Sequence, residues 1–295
     1  MTKCSLKCPL SGLVIVLIAG ATASPAYAQY RPMPAPNSAS NAQKGENYHV
    51  EFSANLWNPT PSFVVASDGI DIQGTRIPGT QINAQADLGI QKTGIYDLRL
   101  VLKVAKHHKF RFAYLPLTYA STAKLNAKIT FNGRDYLAST DVASDLRWKT
   151  YRVGYEYDMV STRAGFFGVV LEAKITQAQV QLNSAIGNEF AKAQAPIPSI
   201  GAIARGYLAT GLSVTAEYTY FKLPSKLVKN TDAHYTEYDI YATYNITKNI
   251  GAQAGYRKID IGVTVDNLQA AGVNAAAVQG AAKLKGPYFG AVVRF

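Results

Sequence analysis

The chain has 295 residues, with 30 Lys and Arg against 19 Asp and Glu, a formal net charge of +11, and 2 cysteines. Cys4 and Cys8 both precede the first apolar run, so everything downstream is thiol-free, which excludes a disulfide scaffold, Cys-ligated zinc and cysteine catalysis. Nineteen tyrosines beside only 2 tryptophans do not read as a tightly packed water-soluble enzyme.

Lys3 and Lys7, the apolar run Leu13 to Ala19 and the small-residue site Ala26-Tyr27-Ala28 form a bacterial secretory signal over residues 1–28. No apolar run in the chain reaches the ~20 residues of a membrane-spanning helix, so a mature chain that spans a membrane does so with strands. Export also decides which polyanion the basic surface meets: lipopolysaccharide phosphates, not nucleic acid. Residues 29–46, with Pro32, Pro34 and Pro36, read as a flexible periplasmic linker.

From residue 47 to 295 the period is two. Tyr48, Val50, Phe52, Ala54 and Leu56 alternate with His49, Glu51, Ser53, Asn55 and Trp57. The pattern returns at Leu98 to Val104 against Asp97, Arg99 and Lys103, and at Phe110 to Tyr114 against Arg111. A long hairpin is expected from Lys109 to Met159, turning at Asn132-Gly133, the strongest two-residue hairpin signal. Further strands follow around Phe167 to Ile175, Ile200 to Leu208, Leu212 to Tyr220, Tyr238 to Tyr244, Ile250 to Tyr256 and Phe289 to Phe295.

Short turns near His107, Ser161, Thr210 and Lys248 alternate with long connections near 118–140, 183–198, 222–234 and 260–283. This is the periplasmic-short, extracellular-long asymmetry of a transmembrane barrel. The fold class is therefore all-β: an antiparallel up-and-down β-barrel of 12 strands, Phe63 to Gln73 supplying the twelfth, or of 10 if the 58–91 region is mostly loop.

The ending Tyr288-Phe289-Gly290-Ala291-Val292-Val293-Arg294-Phe295 resembles the C-terminal signal of outer-membrane β-barrel proteins. Gly290, Val293 and Phe295 match it, and Tyr288 stands where a more polar residue is usual. The resemblance implies insertion by the barrel-assembly machinery into the outer membrane, with membrane lipids and lipopolysaccharide as surroundings, and it narrows the choice to no member.

Strand phase sends fifteen charged side chains to the lumen: Glu51, Asp97, Arg99, Lys103, Arg111, Arg152, Glu156, Asp158, Glu172, Lys174, Arg205, Glu217, Glu237, Asp239 and Arg257. The basic members cluster on strands from Arg99 to Arg205 and the acidic Glu217, Glu237 and Asp239 are neighbours on later ones, a separation that would set a transverse field across a pore. A porin-like channel for small hydrophilic solutes is the first reading. A closed structural or adhesive barrel acting through its long loops, the Ala-rich stretch 264–282 among them, is the second.

A lipid-modifying enzyme is the remote third, since neither His49 nor His107-His108 has the nucleophile and orienting partner that hydrolysis needs. The expectation is a non-enzyme without cofactor or metal. Lys222, Lys226 and Lys229 near the outer rim are candidates for lipid phosphates.

Overall fold

The structure, a computed structural model, describes residues 44–70, 73, 75–126, 128–131, 134–184, 187–224, 231–266 and 277–295. The expected signal segment, most of the expected linker, the Asn132-Gly133 turn expected for the long hairpin, Lys226 and Lys229 lie outside the described residues.

Every regular element among the described residues is a strand. In chain order these are β1 (Val50–Trp57), β2 (Thr60–Ser67), β3 (Gly69–Ile70), β4 (Arg76–Ile77), β5 (Ile82–Asn83), β6 (Ile95–Ala105), β7 (His108–Lys124) and β8 (Ile129–Phe131). There follow β9 (Arg134–Tyr136), β10 (Asp141–Ser161), β11 (Gly165–Ser184), β12 (Gly187–Ala209), β13 (Leu212–Lys222), β14 (Thr231–Asn245), β15 (Ile250–Asp266) and β16 (Ala277–Arg294).

A ring closes through β1, β6, β7 and β10 to β16, each antiparallel to the next, and β1 returns to β16 with Ala54 opposite Ala291. That is ten strands, the smaller of the two expected numbers. The twelfth strand expected at Phe63 to Gln73 is not a separate wall element. β2 continues the pairing of β1 on β16 in the same register, from Trp57 opposite Tyr288 to Thr60 opposite Lys285. Asn58 and Pro59 interrupt it level with Ile95, where β6 begins, and Pro59 has no N–H to offer a ladder. Residues 81–91 contribute only the short β5, paired to β2, followed by turns.

The four short turns fall where sequence places them, at residues 106–107, 162–164, 210–211 and 246–249. Gly211 supplies φ +84° in the third, a conformation that favours glycine. The long connections are shorter than expected. β11 runs to Ser184 and β12 begins at Gly187, so most of 183–198 is strand, as are the flanks of 260–283. Glycine and alanine in these stretches give no contrast between faces, so no period shows.

The long hairpin is broken rather than continuous. β7 and β10 share a register with β8 and β9, the paired residue numbers summing alike, but the ladder is interrupted at Leu125 and Asn126 on one side and at 137–140 on the other. Ser139, at φ +65°, donates its N–H to the Leu125 carbonyl at this break.

The alternation also sorts the two faces of the wall. Phe52, Phe112, Tyr151, Leu171, Ile200, Tyr238, Ile240 and Phe289 point out and are exposed, the outward apolar band of a membrane barrel. The interior is polar toward the end bearing Phe295 and apolar toward the end bearing the longer connections.

Candidate functional site

Inward phase brings acidic and basic side chains from opposite walls into contact. Lys109 Nζ lies 2.6 Å from Glu156 and 2.9 Å from Asp158. Arg111 joins Glu156 to Glu217, and Arg152 joins Glu217 to Glu237. From Glu237 the chain continues through Arg257 (2.6 Å) to Asp97 (3.3 Å), then through Arg99 to Asp239 (2.7 Å). Lys174 bridges Glu172 at 2.8 Å and Glu237 at 3.6 Å. Tyr235 and Tyr288 donate their hydroxyls to Glu237 and Asp239.

A second cluster shuts the end near Phe295. Arg294 binds Glu51 at 2.6 Å and Glu46 at 3.2 Å, and Arg205 binds Glu46 at 3.0 Å. Glu46 reaches them because the segment before β1 turns under the ring, where Asn245 donates to the Lys44 carbonyl. Tyr48, given a lipid-facing place by phase, is instead buried beneath the Arg294 guanidinium, 5.1 Å from its ring centre. The turn at Gly45, φ +77°, takes the chain inward there and resets the phase before β1.

All the expected lumen residues except Lys103 join these ion pairs. Lys103 sits at the rim with its ammonium 5.8 Å from the Tyr48 ring centre. The expected transverse separation of charge does not survive folding, because the acids of β13 and β14 reach across to the bases of β6, β7 and β10 and neutralise them in contact. Sequence reading missed Lys109 and Arg294, although each is in phase with an inward neighbour, Arg111 and Val292. Glu46, before the first strand, has no periodic signal at all.

Above the ion pairs the lumen is filled with apolar side chains. Ile82, Leu88 and Ile90, from the connection between β2 and β6, pack with Trp57, Phe63, Leu117, Tyr119, Ile259 and Leu284. Among the ion pairs a cavity of about 20 Å³ remains, lined by Glu51, Ser53, Arg99, Arg111, Arg152, Tyr241 and Gln253 among others. That is room for about one water molecule. A water-filled pore would leave its lining wet, yet Lys174 is 0% exposed, Glu237 1% and Asp97 1%.

The four residues of the assembly signal divide between the faces. Tyr288 is inward and buried, its hydroxyl donating to Asp239; a Cβ at Gly290 would run into the Ala54 carbonyl and Asn55; Val293 and Phe295 face outward. His49 and His108 are exposed at the rim, and His107 pairs with the Asp158 carbonyl at 2.8 Å.

No protein-family model matches the chain, and no curated protein does. Among solved structures it is similar to the outer membrane protease OmpT from Escherichia coli, at 8% identity and TM-score 0.51, over 86% of this chain and 98% of that one. It is also similar to the toluene transporter TodX of Pseudomonas putida (10% identity, TM-score 0.33, 84% and 90% covered) and to Ail, the attachment invasion locus protein of Yersinia pestis (10%, 0.31, 83% and 98%). The fold is that of the outer-membrane β-barrels.

Proposed function

We propose that this chain is an exported outer-membrane barrel with a shut lumen, acting without catalysis through its loop-bearing end. The observation that carries the reading is the dryness of its charged interior, Lys174, Glu237 and Asp97 all lying at 0–1% exposure between an apolar plug and the Glu46 cluster. Buried charges persist only when paired and hydrogen-bonded, and this set is paired across the whole lumen. Such a network holds a wall rigid; it offers no file of water to a solute. The short-turn and long-connection asymmetry supports an orientation with the loop-bearing end and its β8–β9 ribbon facing out of the cell, and with the assembly machinery, lipids and lipopolysaccharide as the surroundings.

The channel is the second reading, favoured by one observation: Ile82, Leu88 and Ile90, which pack over the polar layer, all come from one connection, so its withdrawal would loosen the cover of the lumen. Liposome swelling in arabinose or glycine, with the chain refolded into the vesicles, separates the two. The closed reading expects swelling no faster than empty vesicles; solute-size-dependent swelling would establish a channel in its place.

A further inference from the structure

The register of the wall fixes rows of outward side chains across it. One row runs Tyr218, Tyr238, Lys258, Lys285 and Thr60 over β13, β14, β15, β16 and β2. Lys258 and Lys285 are therefore directly opposite one another on adjacent strands, both exposed, and neither has an ion pair among the described residues. Like charges so placed destabilise a sheet. Asp260, in the row above, is engaged by Lys283 at 3.6 Å and His234 at 3.9 Å. The wall thus sets two cations together and withholds a carboxylate from them.

Their height gives the pair a partner. Lys258 lies about eight residues up from the turn before β15 and Lys285 about ten from Phe295, where a strand of about 9 to 11 residues has just crossed the hydrocarbon. Tyr238, beside Lys258 in the row, stacks near Tyr218 with ring centres 4.8 Å apart, as aromatic side chains do at an interface. Directly below, the wall turns apolar with Tyr256 and Pro287, then Ala254 and Phe289.

We infer that Lys258 and Lys285 together bind the phosphate of a lipid headgroup in the leaflet at the loop-bearing end, the acyl chains lying on Tyr256, Pro287 and Phe289. The phosphate takes the place of the missing carboxylate and removes the like-charge repulsion. The headgroup stays hydrated above the apolar band. The inference rests on the barrel standing in a bilayer, as proposed above.

The full chain, refolded into phosphatidylcholine vesicles doped with phosphatidic acid or with diacylglycerol, provides the test, with bound lipid counted by native mass spectrometry. Phosphatidic acid is expected to be retained and diacylglycerol not. The double variant Lys258→Gln/Lys285→Gln should retain phosphatidic acid about thirtyfold more weakly, as two independent lysines near a charged surface imply. Lys258→Arg/Lys285→Arg should retain it, and so should Lys149→Gln on β10, an exposed lysine outside the row. Equal retention by the glutamine pair would overturn the proposal, as would displacement of the lipid by inorganic phosphate alone, which would mark a free-ion site. Flotation with the vesicles is read separately: failure of the wild-type chain to float would overturn the membrane reading itself.

Discussion

Glu237 is where the lumen network converges. Its carboxylate accepts from Arg152, Arg257 and the Tyr235 hydroxyl, and Lys174 lies 3.6 Å away. Removing it takes the shortest ion pair from Arg152 and from Arg257 in a dry interior, leaving them Glu217 and Asp97 at 3.4 and 3.3 Å, so Glu237→Ala should cost about 3 kcal/mol of barrel stability. Glu237→Gln, which still accepts, should cost less. Urea unfolding of the refolded barrel followed by tyrosine fluorescence and gel mobility measures both. Tyr288→Phe, which deletes only the hydrogen bond to the Asp239 carboxylate, should cost about 1.5–3 kcal/mol in the same assay. Which side chains enter the lumen was legible in the sequence, because a strand has only two faces and Glu217, Glu237 and Asp239 alternate cleanly with Tyr218 and Tyr238. Which partner each would meet was not: Arg152 and Glu237 are 85 residues apart, and only ring closure brings them together.

At the scale of elements, the connection between β2 and β6 decides whether the barrel is open. Leu88 and Ile90 dock with the buried core cluster, and Leu88→Ala should weaken that docking by about 2–5 kcal/mol. Hydrogen exchange should then rise across residues 79–94 while the amides of β13 to β15 stay protected; unchanged exchange would mean that the plug is held by other contacts. The β8–β9 ribbon carries a titratable clasp, in which Lys128 and Thr130 bind the Asp135 carboxyl and hold it below the usual carboxylate range. A lowered folded pKa stabilises at pH above the unfolded value and is lost as pH falls through the folded one. NMR of the ribbon should therefore show it loosening only in acid, and Asp135→Asn should remove that pH dependence. Sequence reading left 58–91 undecided between wall and loop because a plug segment buries its apolar side chains as a wall strand does. Nothing in Phe63, Val65, Ile82 or Leu88 says from which side they are covered.

For the whole molecule, ring closure is the step from which the rest follows. Ala54 and Ala291 are directly opposite across the seam between first and last strands. With Cys4 and Cys8 replaced by serine, Ala54→Cys/Ala291→Cys should form a disulfide in the folded barrel, and Ala54→Cys/Ala252→Cys, one strand further round, should not. The barrel, the spacing of its short turns and its outward apolar band could be read from the sequence because they depend on period and turn spacing. The shut lumen could not, since it depends on a plug without period and on an acidic residue, Glu46, ahead of the first strand.

Single-channel recording of the refolded barrel in a planar bilayer, under a salt gradient, tests that closure most directly. The account predicts a silent bilayer from protein shown by gel mobility to be folded and inserted. Stable conductance steps with a reversal potential that shifts in Glu237→Gln would contradict it and mark the lumen as a pore.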